Sequence, residues 1–192
     1  MFHIEEFSES FSNLDAELIQ LSNGLFNSEA QTYLFDDFVL DKRRTEAVHI
    51  HHSKVQDGTM NLVFPNNISS HHIKLNNQQL SHKHQILAFS GEEALSVLPR
   101  DFCITTLTLH LDELQEYVDF DVYGFCPSTF RAKQVDLGYK NQLLAIIESI
   151  FQECQFNGEN LSSEVITDMK STVYIEAAKY LTNELVNDIS AL

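Results

Sequence analysis

The sequence predicts an α+β fold, in which an antiparallel β-barrel of the double-sheet jelly-roll type is followed by a C-terminal αα-hairpin. Two observations predict it. From about residue 25 to residue 109, apolar and polar residues alternate with period two, and turn residues separate short extended segments. From residue 111 onwards, apolar residues recur at three- and four-residue steps, which is the helical period. About eight or nine strands joined by short loops favour a closed barrel, since an open sheet leaves exposed edges.

The predicted elements begin with a short helix around residues 12–21. The strands that follow are clearest at residues 60–64 and 102–109, where the alternation is regular. Asp57 and Gly58 suit a tight primed turn between two strands. Further turn signals lie at residues 65–67, 76–77 and 90–91.

The second half of the chain is predicted to be helical. Asp112 is expected to cap a short helix over residues 113–119, with Gln115 in the capping-box position. Residues 120–135 are interpreted as a connection. Two long helices follow, over residues 137–155 and 161–187, and a helix-breaking connection at residues 155–160 makes them an αα-hairpin.

The apolar faces of the two long helices need a covering surface. They could cover each other and one face of the barrel, or part of each could pair with a second copy of the chain. The second interpretation predicts a dimer contact made by Leu143, Ile147, Ile150, Phe151, Val173, Ala177 and Leu181.

The charge balance argues against direct binding of DNA by these residues. The 192 residues carry 28 acidic and 12 basic side chains, and a net charge of −16 repels phosphate backbones. The three cysteines are an odd number and lie far apart, which predicts reduced thiols. The sequence shows neither a secretory signal nor an apolar segment long enough to span a bilayer, so we expect a cytoplasmic protein.

Three stretches resemble the N-terminal region of AraC-type transcription regulators, a cupin-like β-barrel followed by a helical pair. Residues 58–65 (GTMNLVFP) are similar to a strand that ends in an apolar-proline pair midway through that domain. Residues 85–93 (QILAFSGEE) are similar to a later apolar strand and acidic turn. Residues 102–109 (FCITTLTL), which run into LDEL, are similar to the last strand and the helix after it.

The resemblance implies a sensing and dimerisation domain that acts on transcription only through helix-turn-helix units. It divides the chain into a cupin-like β-barrel with a short N-terminal helix at residues 1–110 and a helical dimerisation region at residues 111–192, packed together as one unit. We expect the DNA-binding half to be absent from this chain, with residues 187–192 as the hinge. The expected partners are a second copy and a possible apolar or amphipathic effector, with no membrane.

No cofactor and no catalytic residue is predicted, because the sequence has neither a nucleophile elbow nor a glycine-rich phosphate loop. The candidate residues for an effector pocket inside the barrel are aromatic and imidazole side chains that could instead fill its core. They are Phe38, His49, His51, Phe64 and Phe89.

The nine histidines are a high number, and seven of them form pairs or near-pairs: His49, His51 and His52, then His71 and His72, then His82 and His84. His49 and His51 would share one face of a strand, although Val48 and Ile50 compete for the buried face. The histidines could be exposed or hydrogen-bonded, line the effector pocket, or bind a metal ion.

The metal interpretation makes the chain a metal-dependent cupin enzyme that uses His49, His51 and a further histidine, His84 or His110. The pattern resembles the first motif of such enzymes, which pairs two alternate histidines with a nearby Glu. Residues 53–56 (SKVQ) supply no carboxylate, so the enzyme stays the alternative prediction.

Overall fold

The computed structural model describes residues 14–66, 73–75, 78–80, 84–89, 91–120, 131–134 and 137–189; side chains are described for these except at 14, 78–80, 84–89, 131–134, 159 and 183–189. The described residues form two antiparallel sheets and C-terminal helices, which confirms the predicted α+β class. The strands are β1 (Leu14–Gln20), β2 (Ser28–Leu34), β3 (Phe38–Thr45), β4 (His49–Val55), β5 (Thr59–Pro65), β6 (Ile73–Leu75), β7 (Gln78–Leu80), β8 (His84–Phe89), β9 (Glu93–Leu98), β10 (Phe102–His110) and β11 (Arg131–Gln134).

The helices are α1 (Leu111–Gln115), α2 (Leu137–Asn157) and α3 (Ser163–Ile189), and a 3-10 turn at Gly158–Asn160 separates the last two. The two long helices therefore lie where the apolar period predicts them, within two residues at each end. None of the described helices combines the length and the apolar character that crossing a bilayer requires.

The two sheets have the strand orders β1-β4-β9-β6-β7 and β11-β8-β5-β10-β3-β2. In the six-stranded sheet, β10 lies between β3 and β5, and Leu107 is paired with Leu40 on one side and with Leu62 on the other. Such cross-strand rows place side chains from three strands on one face of the sheet. The apolar rows of this sheet and the long helices form one continuous core cluster.

That core cluster explains why the long helices are amphipathic. Phe38, Leu40, Met60, Leu62, Phe64, Leu107 and Leu109 are all fully buried within it. The rings of Phe64 and Tyr180 meet edge to face at 5.8 Å, and those of Tyr33 and Phe151 lie 5.5 Å apart. The helices therefore cover the six-stranded sheet, in line with the interpretation that their apolar faces pack within the same chain.

The seven side chains predicted to pair two chains belong to this same core. Each is at most 5% exposed within the single chain: Leu143, Ile147, Ile150, Phe151, Val173, Ala177 and Leu181. In this arrangement they are occupied by the chain's own sheet. The sequence could not show this, because an apolar stripe looks the same whether it faces a sheet or a second copy.

Three local predictions are corrected. Residues 14–20 form a strand and not a helix, because Ala16 and Leu18 alternate with exposed Asp15 and Glu17 alongside β4. The predicted connection at residues 120–135 contains β11, which pairs with β8.

The predicted cap is also corrected, since α1 begins at Leu111 with His110 as its N-cap residue and no side-chain cap hydrogen bond. β10 runs directly into this helix. The N–H of Leu111 donates to the carbonyl oxygen of Gly58 at 2.9 Å, so a backbone contact takes the place of the Asp112 cap.

A polar contact, which we call the α3 latch, fixes α3 to the turn between β2 and β3. Lys170 Nζ lies 2.6 Å from a carboxylate oxygen of Asp37 and 2.8 Å from one of Glu113. The Tyr174 hydroxyl donates to the Asp37 carbonyl oxygen at 2.5 Å and accepts from the His110 N–H at 3.2 Å. Hydrogen bonds to Asp37 and Glu113 raise the pKa of Lys170, so it stays protonated.

We expect Tyr174→Phe to lower the free energy of unfolding by about 2 kcal/mol, because the Asp37 carbonyl and the His110 N–H lose a buried partner. Urea unfolding at neutral pH measures the effect. Tyr139→Phe is the matched control, since Tyr139 is 40% exposed. Equal stability of the two variants would show that the Tyr174 hydroxyl contributes nothing.

Candidate functional site

The odd-numbered residues of β4 face the interior of the protein. His49, His51, Ser53 and Val55 are buried, whereas His52 and Lys54 are exposed. A shift of the strand by one residue would bury Lys54, so the charged residue decides the register against the apolar Val48 and Ile50. The two histidines consequently face the space between the sheets.

β3 brings an ion pair to the same space. Asp41 and Arg43 are 2% and 3% exposed, and Arg43 Nε lies 2.5 Å from Asp41 Oδ2. Thr32 on β2 donates to the other carboxylate oxygen of Asp41 at 2.5 Å. The pair cancels its own charge, which is what allows two ions to be buried at acceptable cost.

Arg43, Thr45, His49 and His51 line one small cavity, and we call these four residues together with Asp41 the interior cluster. Leu98, Phe102 and Ile104 form the apolar part of the lining. The cavity has a volume of about 10 Å³, which is roughly the space of one water molecule. Its lining is amphipathic.

Both histidines of the cluster are neutral at neutral pH. Burial lowers the pKa of His51 to about 3, and the nearby His49, Arg43 and His52 act in the same direction. Burial also lowers the pKa of His49, and its hydrogen bond to the Ala47 carbonyl oxygen at 3.0 Å opposes the shift only in part. Since that oxygen only accepts, His49 Nδ1 carries the proton and Nε2 is left as an acceptor.

Two hydroxyls near the cluster have unused hydrogen-bonding capacity. Ser28 and Thr45 face each other across β2 and β3, and each is 3% exposed. Neither side-chain hydroxyl makes a hydrogen bond within the described part of the chain. Buried polar atoms are seldom left in this state, so they mark where the polar atoms of a ligand could be held.

The structure separates the five residues predicted for an effector pocket. His49 and His51 line the cavity, whereas Phe38 and Phe64 are fully buried on the opposite face of the six-stranded sheet, under the helices. Phe89 belongs to β8, and its side chain is outside those described. The stacking of Phe38 on Phe35, with ring centroids 4.3 Å apart, is therefore a core contact.

The histidines of the metal alternative are not gathered by the described residues. No group of three or more His, Cys, Asp or Glu side chains that could hold a metal ion occurs among them. His110 is exposed at the end of β10. His84 belongs to β8 without a described side chain, and His71, His72 and His82 lie outside the described residues.

Three residues of the interior cluster were not predicted from the sequence: Asp41, Arg43 and Thr45. The available signal was a pair of opposite charges two residues apart in a strand, which share one face. Lys42 and Arg44 obscured it, because the run DKRR resembles a solvated surface segment. Lys42 is half-buried on the helix-covered face of β3, where its Nζ lies 2.8 Å from Glu148 and 5.8 Å above the Phe151 ring.

Comparison with known proteins gives a likeness of fold. No family model and no curated protein matches the chain. The crystal structure of the AraC-like transcriptional activator CuxR is similar with a TM-score of 0.61 at 12% identity, over 88% of this chain and 61% of CuxR. ToxT from Vibrio cholerae has a TM-score of 0.32 at 13% identity, over 88% of this chain and 58% of ToxT. The chain thus shares its fold with CuxR and spans about three fifths of its length.

We expect stability to fall with pH below the ordinary histidine pKa of 6.5. Folding keeps His49 and His51 neutral, so below pH 6.5 the unfolded chain binds protons that the folded chain does not. The free energy of unfolding is therefore at its full value above pH 6.5 and falls as the pH is lowered through that point. His51 should bring the slope to about 1.4 kcal/mol per pH unit between the ordinary pKa of 6.5 and its folded pKa of about 3. His49 should add to the slope in the same direction. Denaturant unfolding at several pH values measures it.

His51→Gln should reduce this slope by about 1.4 kcal/mol per pH unit, and Lys54→Gln, at an exposed position of the same strand, should leave it unchanged. An unaltered slope in His51→Gln would contradict the assignment of a neutral buried imidazole.

We expect Thr45→Val to raise the free energy of unfolding by about 1 kcal/mol, because it removes a buried hydroxyl that has no partner in the described structure. Thr32→Val is the matched control. It should lower the same free energy by about 2 kcal/mol, since Asp41 loses a hydrogen-bond donor. Equal effects of the two substitutions would show that the Thr45 hydroxyl is satisfied.

Proposed function

We propose that this chain is the effector-sensing domain of an AraC-type transcription regulator, a closed cupin-like barrel at residues 1–110 joined to an αα-hairpin within residues 111–192. The observation that supports it is the interior cluster: an internally neutralised set of polar groups enclosed between the two sheets, in a fold shared with CuxR. Buried polar groups of this kind add little to stability, so a role in recognition accounts for them better.

The effector we infer is small, amphipathic and uncharged where it meets the cluster. Its polar atoms would reach Thr45 and the imidazole of His51, and its apolar part would contact Leu98 and Phe102. A charged group of the ligand would find no free opposite charge there, because Asp41 already neutralises Arg43 and both imidazoles are neutral. The cavity volume of about 10 Å³ means that the sheets must separate to admit it.

β3 offers a physical route from the interior to the helices. Its odd-numbered residues Asp41 and Arg43 reach the cluster, and its even-numbered residues Leu40 and Lys42 reach the core cluster and α2. The turn before β3 carries Asp37, which the α3 latch holds. A ligand that displaced β3 would therefore favour one arrangement of α3 over another, which is the form that ligand control must take.

We further propose that two copies associate through the outer side of the helical region. Because the seven predicted side chains are buried, the contact would form over exposed neighbours, among them Tyr139 and Ile175. DNA binding and control of transcription would reside in helix-turn-helix units outside this chain, and the whole regulator would act in the cytoplasm without a cofactor or catalysis.

We expect an effector to stabilise the protein through the interior cluster. Small uncharged amphipathic compounds, with charged analogues, would be screened by thermal shift, and each stabilising compound retested on two variants. Thr45→Val should abolish the shift, whereas Thr172→Val, on the outer side of the helices, should preserve it. The reverse pattern would place the ligand outside the barrel and contradict the proposal.

We expect sedimentation equilibrium to show a dimer of the 22.0 kDa chain. Ile175→Glu should shift it towards monomer, because it places a charge at the proposed contact. Leu25→Glu is the control, since Leu25 is 81% exposed in the loop before β2. A wild-type chain that stays monomeric at high concentration would refute the pairing.

A further inference from the structure

The outer side of the helical pair carries a groove distinct from the interior cluster. It has a volume of about 320 Å³ and runs between α2 and α3 near their connection. Its apolar floor consists of Ile146, Ile150, Val165 and Met169. Ile150 and Met169 are 5% and 9% exposed and contribute to the core cluster, whereas Val165 is 37% exposed.

The walls of this groove are acidic on both sides. Glu153 on α2 and Asp168 on α3 are the two charged residues among the eight that line it, and both are exposed to solvent. Asn157 donates to Glu153 at 2.6 Å, which holds that carboxylate at the end of α2. The remaining polar lining, Ser149 and Thr172, is neutral.

A second copy of the chain is a poor occupant for this groove. A two-fold axis through the groove would place Glu153 and Asp168 of both copies in one contact, with no basic side chain of the lining to offset them. The proposed dimer contact at Ile175 adjoins the groove at Thr172 and lies ten residues, about 15 Å along α3, from Val165 at its other end.

We propose that the groove binds a basic amphipathic helix of a partner protein. An apolar face laid between two helices is a common mode of helix recognition, in which side chains at three- and four-residue steps enter the groove. Here they would cover Ile150, Val165 and Met169, and Lys or Arg side chains on the flanks would pair with Glu153 and Asp168. This surface shares no residue with the interior cluster.

The probe is a fluorescein-labelled helical peptide of about 15 residues, with Leu on one face and Lys on both flanks. Its control replaces every Lys with Glu. Fluorescence anisotropy should show binding of the Lys peptide alone, weakening as NaCl is raised, because exposed charge pairs are screened. Equal binding of the two peptides, or no binding of the Lys peptide, would overturn the proposal.

Charge reversal locates the binding surface. The double variant Glu153→Lys with Asp168→Lys should weaken the Lys peptide about tenfold or more, and Glu153→Gln with Asp168→Asn should weaken it by a smaller factor. Glu116→Lys, an exposed change outside the groove lining, should bind as the wild type does. Circular dichroism verifies that each variant is folded.

Sedimentation velocity of the same variants tests whether a second copy of the chain occupies the groove instead. The double charge reversal should leave self-association as it is in the wild type. A change in the oligomeric state, or an unchanged affinity for the Lys peptide, would overturn the proposal. Failure of this test leaves the effector proposal standing, because the interior cluster shares no residue with the groove.

Discussion

The six-stranded sheet is buried on both faces, and the two faces have opposite chemistry. Towards the helices it presents fully buried apolar side chains such as Leu40 and Leu107. Towards the other sheet it presents Asp41, Arg43 and Thr45. Because successive residues of a strand point to opposite sides, β3 contributes apolar side chains to the core under the helices and polar side chains to the space between the sheets. The helices cannot be removed without exposing the core, and the polar residues cannot turn outward without disrupting it.

The interior cluster is built so that it carries no net charge. Asp41 balances Arg43, Thr32 binds the second carboxylate oxygen, and burial keeps His49 and His51 neutral. An apolar interior of the same size would be at least as stable, since paired buried ions gain little over hydrophobic packing. What the polar interior adds is directional hydrogen bonding between the two sheets. Directional groups discriminate between ligands of similar shape, because a mismatched ligand leaves them unpaired.

The type and order of most strands and helices could be predicted from the sequence, but the surfaces that they pack against could not. The change of period near residue 110 located the strands and both long helices, because burial on one side leaves a regular pattern. Ile147 and the other buried apolar residues of its helix pack against the six-stranded sheet. The same pattern would arise if they packed against a second chain, since both are apolar surfaces. Phe38 and Phe64 lie apart from His49 and His51, which the sequence could not show for a related reason: alternation identifies a shared face but does not say which side that face meets. Arg43 was hidden by the charges on either side of it.

Two turns of α3 connect the three features described above. Lys170 and Tyr174 hold the turn before β3, and that strand carries Asp41 and Arg43. Asp168, Met169 and Thr172, which alternate with the latch residues along the same turns, line the groove. A helix moves as a rigid element over so short a length, so the latch and the groove cannot change independently. A displacement of β3 between the two sheets would therefore reach the groove through direct contacts alone, with no need for the sheets to unfold or for the helices to leave their core.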